Sequence, residues 1–124
     1  MSNNKLNLTD DNLKCSCRGY NLDKLLQPRI LHILSKEKMH GYGIVQALET
    51  KPLFHDEKAD TAGIYRALAT LQDRGLIEFE WMMETSGPAK KQYAITAEGK
   101  HCLENWIQTL SEYKQALDDF LNGV

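Results

Sequence analysis

A chain of 124 residues holds one domain with a real core and an appendage, and is too short for two ordinary domains. Its net charge of −2 and pI near 6.1 argue against binding nucleic acid by bulk positive charge, so local placement of cations has to decide that question. Three cysteines with no secretory leader pattern ahead of them argue against a disulfide framework and for a reducing cytoplasm, and no apolar run approaches the ~20 residues of a membrane span.

Residues 1–20 read as a polar arm with isolated Leu6, Leu8 and Leu13, followed by the thiol pair Cys15-Ser16-Cys17 and a turn-permitting Gly19. From Asn21 the apolar density of Leu25, Leu26, Ile30, Leu31, Ile33 and Leu34 predicts a buried helix. Proline is at ease only in a first turn, so a short turn before Gln27 and a main helix from about Pro28 to Lys36 are expected. Lys36 to Gly41 reads as a connection. A second helix follows over Gly41–Glu49, with Tyr42, Ile44, Val45 and Leu48 apolar and Pro52 beyond its end. Residues 51–59 form a loop, with Leu53 and Phe54 expected to fold back on the core.

Asp60 is a suitable N-cap for a third helix over Thr61–Arg74. At 100° per residue Ile64, Ala67, Leu68 and Leu71 share one face, Ala62, Arg66, Ala69 and Thr70 the opposite one, and Tyr65 lies at the flank. An ordinary solvated face would carry more Glu and Lys; small residues around one arginine let a helix backbone approach a major groove. Gly75 suits a C-terminal cap. Leu76–Met82 alternates, Ile77, Phe79 and Trp81 against Glu78 and Glu80, and Lys91, Tyr93 and Ile95 form one face of a return strand. Thr85 to Ala89 is turn chemistry, which puts Lys90 and Lys91 at the root of a hairpin tip.

Thr96 caps a last helix from Ala97 to about Leu121, roughly 37 Å long at 1.5 Å per residue. Leu103, Leu110 and Leu117 occupy one heptad position and Trp106, Tyr113 and Phe120 the other, with Ile107 and Leu121 beside them. The preceding domain is too small to cover that length, so the helix is expected to pair with its symmetry mate and to pack on the first helix.

The order helix, strand, loop, strand over Asp60–Ile95 is that of a winged helix-turn-helix. The expected fold class is α+β, mostly helical: an arm at 1–20 carrying the C-x-C, a winged helix-turn-helix domain at 21–96, and a long C-terminal dimerisation helix at 97–124. A phosphate-binding glycine loop, a nucleophile elbow and HExxH are all missing from the sequence, which argues against an enzyme.

Four stretches keep one order and spacing: Ile30-Leu31 through His40-Gly41-Tyr42-Gly43-Ile44, Gly63 to Leu68 with Leu71, Arg74-Gly75-Leu76-Ile77, and Gly87 to Thr96 with Gly99. On these, across about residues 25–121, the chain resembles the PadR-type winged-helix transcriptional regulators. It implies a homodimeric DNA-binding protein, in most members a repressor, in some responsive to phenolic acids or to planar drugs held between the last helices. Where the family pattern commonly has proline, this chain has Arg66. The chain is also similar to a subgroup with a C-x-C before the first helix and a cysteine in the last, here Cys15, Cys17 and Cys102.

In that context Thr61, Gly63, Tyr65, Arg66 and Thr70 are candidate contacts to double-stranded DNA, with Arg66 suited to a bidentate guanine contact and the Thr61 and Tyr65 hydroxyls to phosphates. Gly87, Lys90 and Lys91 suit backbone phosphates at the wing. Leu103, Trp106, Leu110, Tyr113, Leu117 and Phe120 are the candidate dimer residues; Trp106 and Tyr113 read most simply as core, and a symmetry-related tryptophan pair can also clamp a small aromatic effector. His40 reads as a hydrogen-bonded turn residue. Cys15, Cys17 and Cys102 can supply thiolates to a soft or borderline metal ion, with His101 as an alternative ligand, or act as a redox switch, or remain free thiols.

Overall fold

A computed structural model describes residues 17, 23–53, 60–83 and 87–124. Within them run α1 (Leu26–Lys36), β1 (Met39–His40), α2 (Gly41–Thr50), α3 (Thr61–Asp73), β2 (Ile77–Met82), β3 (Lys90–Ile95) and α4 (Ala97–Asn122). Four helices with a three-stranded antiparallel sheet give the α+β, mostly helical winged helix that the pattern predicts.

The first helix starts two residues earlier than expected. Leu26 is its first residue and Pro28 its third, still inside the first turn, where a missing N–H costs nothing. Among the described residues from Asp23 on, no separate turn of helix precedes it; Leu25 takes a left-handed φ of 55°, and its N–H donates to the Asp23 carboxylate at 2.8 Å. Arg29 then ties α1 to α2: its guanidinium donates to the carbonyls of Lys51 at 3.0 Å and Leu48 at 3.4 Å, where α2 runs out of internal N–H donors.

The stretch expected to be only a connection contains β1. Met39 pairs with Tyr93 and His40 with Gln92, so β3 is the central strand of the order β1-β3-β2. On its other side Ile77 faces Ile95, Phe79 faces Tyr93 and Trp81 faces Lys91. The alternation is as expected, but burial fades outward along the hairpin: Ile77 is fully buried, Phe79 half-buried and Trp81 59% exposed.

The core is built by Ile30, Leu31 and Leu34 of α1, Ile44, Val45 and Leu48 of α2, Ile64, Ala67, Leu68 and Leu71 of α3, and Leu76, Ile77 and Tyr93. Each large aliphatic side chain removed from water here is worth about 1.5–3 kcal/mol. One expectation for this core fails: Leu53 is 45% exposed rather than folded back, and Phe54 lies outside the described residues. Tyr42, unlike the other apolar residues of α2, is 67% exposed.

Two caps fix the helix that follows the loop and the helix that ends the chain. Asp60 accepts from the Gly63 N–H at 2.9 Å, and α3 ends in a Schellman turn in which Gly75, at φ 75°, donates to Gln72 and Leu76 donates to Leu71. Thr96 accepts from the Gly99 N–H at 3.0 Å and donates its own hydroxyl to the Gly75 carbonyl at 2.8 Å. One threonine therefore starts α4 and pins it to the turn that closes α3. Gly99 is buried against the Leu76 carbonyl, where a β-carbon would have no room.

Candidate nucleic-acid interface

The exposed face of α3 follows from its inner one. With Gly63, Ile64, Ala67, Leu68 and Leu71 buried, Thr61, Ala62, Tyr65, Arg66, Ala69 and Thr70 are left outside. The predicted contacts Thr61, Tyr65, Arg66 and Thr70 thus share one surface. Gly63 does not belong to it: it lies beneath the Asp60 carboxylate, and its N–H already serves the cap. The reason is periodicity, since residue 63 sits one step before Ile64 on the inward side.

Tyr65 is held as well as exposed. It retains 42% exposure, and its ring and hydroxyl lie over Gly41, the first residue of α2. Beside it, His40, Gly41, Tyr42, Gly43, Gln46, Lys90 and Lys91 complete a cleft between the start of α2, the flank of α3 and the root of the hairpin. Tyr42 and Gln46 were not among the predicted site residues; two glycines flanking a tyrosine at a helix start are the signal that a cleft opens there. His40, expected as a hydrogen-bonded turn residue, is instead the second residue of β1, with Nδ1 3.4 Å from the Lys91 carbonyl oxygen.

The two wing lysines part company. Lys90 is exposed at the start of β3, opposite Met82. Lys91 is half-buried, and its Nζ lies 4.4 Å from the centre of the Phe79 ring and 5.6 Å from that of Trp81, a cation held on aromatic faces. Phe79 and Trp81 meet edge to face at 5.7 Å, so the hairpin is braced by a short aromatic stack. Gly87 takes a φ of 92° at the tip, which glycine adopts at no steric cost. Tyr93, buried beneath this face, has its hydroxyl pKa raised by burial and by the neighbouring Tyr65.

On α4, Leu103, Trp106 and Leu110 are half-buried, whereas Tyr113, Leu117 and Phe120 are 60%, 42% and 67% exposed. Among the described residues no helix is long and apolar enough to cross a membrane. Cys102 is half-buried on α4 against the core and Cys17 is exposed; Cys15 lies outside the described residues. Among the described residues no three His, Cys, Asp or Glu side chains come together as a metal site.

The profile of the Transcriptional regulator PadR-like family matches residues 30–105. A PadR family transcription regulator from Clostridium difficile has a similar structure, with a TM-score of 0.68 and 30% identity over 77% of this chain and 97% of that one. A putative transcriptional regulator from Thermoplasma acidophilum gives 0.67 and 32%, covering 81% and 93% of the two chains. Bacillus subtilis PadR, in a structure with operator DNA, gives 0.60 and 31%, covering 67% of this chain and 47% of that one. An uncharacterised protein of Lysinibacillus sphaericus is 25% identical over 95 residues, 77% of this chain and 86% of that one. With a family profile spanning more than half of its length, the chain belongs to the PadR-like family of transcriptional regulators.

Proposed function

We propose that this chain is a cytoplasmic, homodimeric repressor that binds a palindromic DNA operator, with one α3 in each of two major-groove segments and one β2–β3 wing on the adjoining backbone. The observation that carries the reading is the outer face of α3. It presents Arg66 among the small side chains Thr61, Ala62, Ala69 and Thr70, beside the Tyr65 cleft and Lys90. Small residues bring the helix axis close to base edges, and the one guanidinium has the fork geometry that pairs with guanine O6 and N7. Tyr65 and Lys90 serve the phosphates, fixing register without reading sequence. The similarity to Bacillus subtilis PadR, whose structure is in complex with operator DNA, supports DNA as the partner.

The homodimer rests on the apolar stripe of α4, through Leu103, Trp106, Leu110, Tyr113, Leu117 and Phe120. Two copies related by a two-fold axis present two α3 helices to a two-fold symmetric site. With a net charge of −2 per chain, binding depends on few phosphate contacts per copy and on both copies acting together.

The test is sedimentation of the purified protein followed by fluorescence anisotropy on a random duplex and on a duplex enriched by selection. The reading expects a dimer that prefers the enriched duplex and weakens as salt rises. Binding with neither a sequence preference nor a salt dependence would reduce the chain to an interaction module with a winged-helix fold.

A further inference from the structure

Trp81 is left in water where the rest of its strand face is not. Its indole is 59% exposed toward the outer end of β2, followed by Met82 at 38% and Met83 at 82%, whereas Ile77 on the same face is buried and Phe79 half-buried. An indole so placed adds little to folding, and contiguous apolar surface of this kind marks a contact still to be made. The ring is nonetheless held in one pose. Phe79 meets it edge to face, with centroids 5.7 Å apart, and the Lys91 ammonium lies 5.6 Å from its centre. A side chain braced beforehand has less rotamer freedom to lose on binding.

The surroundings of the ring select its partner. Lys91 lines the cleft that also holds Tyr42, Tyr65 and Lys90, and Trp81 is its cross-strand neighbour, so the indole continues the candidate DNA surface outward along the wing. Strand alternation turns the acidic residues away: Glu78 and Glu80, paired with Ala94 and Gln92, lie on the opposite face of the hairpin. Among the described residues of β2 and β3, the face with Trp81 carries a cation and no carboxylate. Major and minor grooves alternate along a duplex, so with α3 in a major groove the wing beside it meets a backbone and then a minor groove. The walls of that groove are deoxyribose carbons between phosphates, an apolar surface inside an anionic one. An indole flanked by a cation matches both.

We infer that Trp81 lays its indole against the deoxyribose wall of the minor groove next to the segment taken by α3, with Phe79 and Lys91 holding the ring in place. The inference rests on the DNA reading above and adds to it a contact of a different kind. Lys90 acts through charge and fades as salt rises, whereas an indole on sugar carbons acts by dispersion and exclusion of water and keeps its strength in salt. In a chain of net charge −2 such a contact supplies affinity that the lysines do not.

The experiment uses the full chain labelled with 5-fluorotryptophan, which gives two fluorine signals, the Trp81 one being that which Trp81→Phe removes. The probe is the duplex enriched by selection. On its addition the Trp81 signal of the wild type is expected to shift, a result that does not depend on how well any other variant folds. Trp81→Ala, and Trp81→Gln, which keeps bulk at the brace, are expected to bind about tenfold more weakly with the salt slope unchanged. Selective, salt-dependent binding with the Trp81 signal unmoved would overturn the inference and leave the DNA reading standing, and so would undiminished affinity in both variants. A deficit that disappears at high salt would overturn it as well, because the contact would then be ionic. Binding by the wild type with neither sequence preference nor salt dependence would remove the DNA reading and the inference together.

Discussion

The Tyr65 ring lies over the α-carbon of Gly41: a β-carbon there would come within 2.7 Å of both the ring Cε1 and the hydroxyl oxygen. Gly41 opens α2 with an ordinary φ, so alanine fits the backbone at that position and even favours the helix. What alanine displaces is the tyrosine. Gly41→Ala should leave stability to urea within about 1 kcal/mol of the parent, because the helix gain offsets the crowding. The same variant should lose ~1 kcal/mol of operator affinity, the worth of one positioned hydrogen bond. Urea titration and anisotropy on one preparation check both, and unchanged affinity would show that Tyr65 does not need its seat on Gly41.

The wing lysines should separate by experiment. Lys90→Ala is expected to lower the slope of log affinity against log salt by about 1 for each copy engaged, as loss of one phosphate contact does. Lys91→Ala removes a cation from the faces of Phe79 and Trp81 and should cost ~0.5–1 kcal/mol of stability, with a smaller change in salt slope. Thermal unfolding and a salt series on both variants decide it; equal slopes with equal stability would return the two residues to one role.

Tyr93 gives a pH signature. Burial and Tyr65 raise its pKa above the ordinary 10.0 of the unfolded chain. Because the folded state favours the neutral phenol, its contribution to stability is fully present below pH 10 and falls as pH climbs from there to the raised folded value, where the unfolded chain binds fewer protons. Denaturation followed across that alkaline window should show a slope that Tyr93→Phe reduces. A slope identical in the two proteins would assign the alkaline loss to other groups.

Much of this was legible because it is periodic or chemically marked. The 3.6-residue pattern of Ile64, Ala67, Leu68 and Leu71 fixes which side of α3 is outside, and Asp60, Gly75 and Thr96 mark caps that form as expected. What escaped has no period. Met39–His40 is a two-residue strand, too short to alternate, and exists because β3 offers a free edge. Pro28 marks a first turn without saying which residue of it. The opposite placements of Lys90 and Lys91 follow from strand alternation, but the capture of one ammonium by Phe79 and Trp81 depends on pairing register, which spacing alone does not set. Leu53 looks like core by composition, yet at 45% exposure it lies outside the packed face.

The central claim is that the outer face of α3 reads DNA sequence, with Arg66 as its guanine contact. Binding-site selection from a random duplex library, run in parallel on the wild type and on Arg66→Ala, tests it most directly. The account predicts that the wild type enriches an inverted repeat containing one invariant guanine in each half-site. Arg66→Ala should lose preference at that base pair alone and bind ~1–3 kcal/mol more weakly. Enrichment of the same repeat, with the same guanine held as strictly by both proteins, would contradict it.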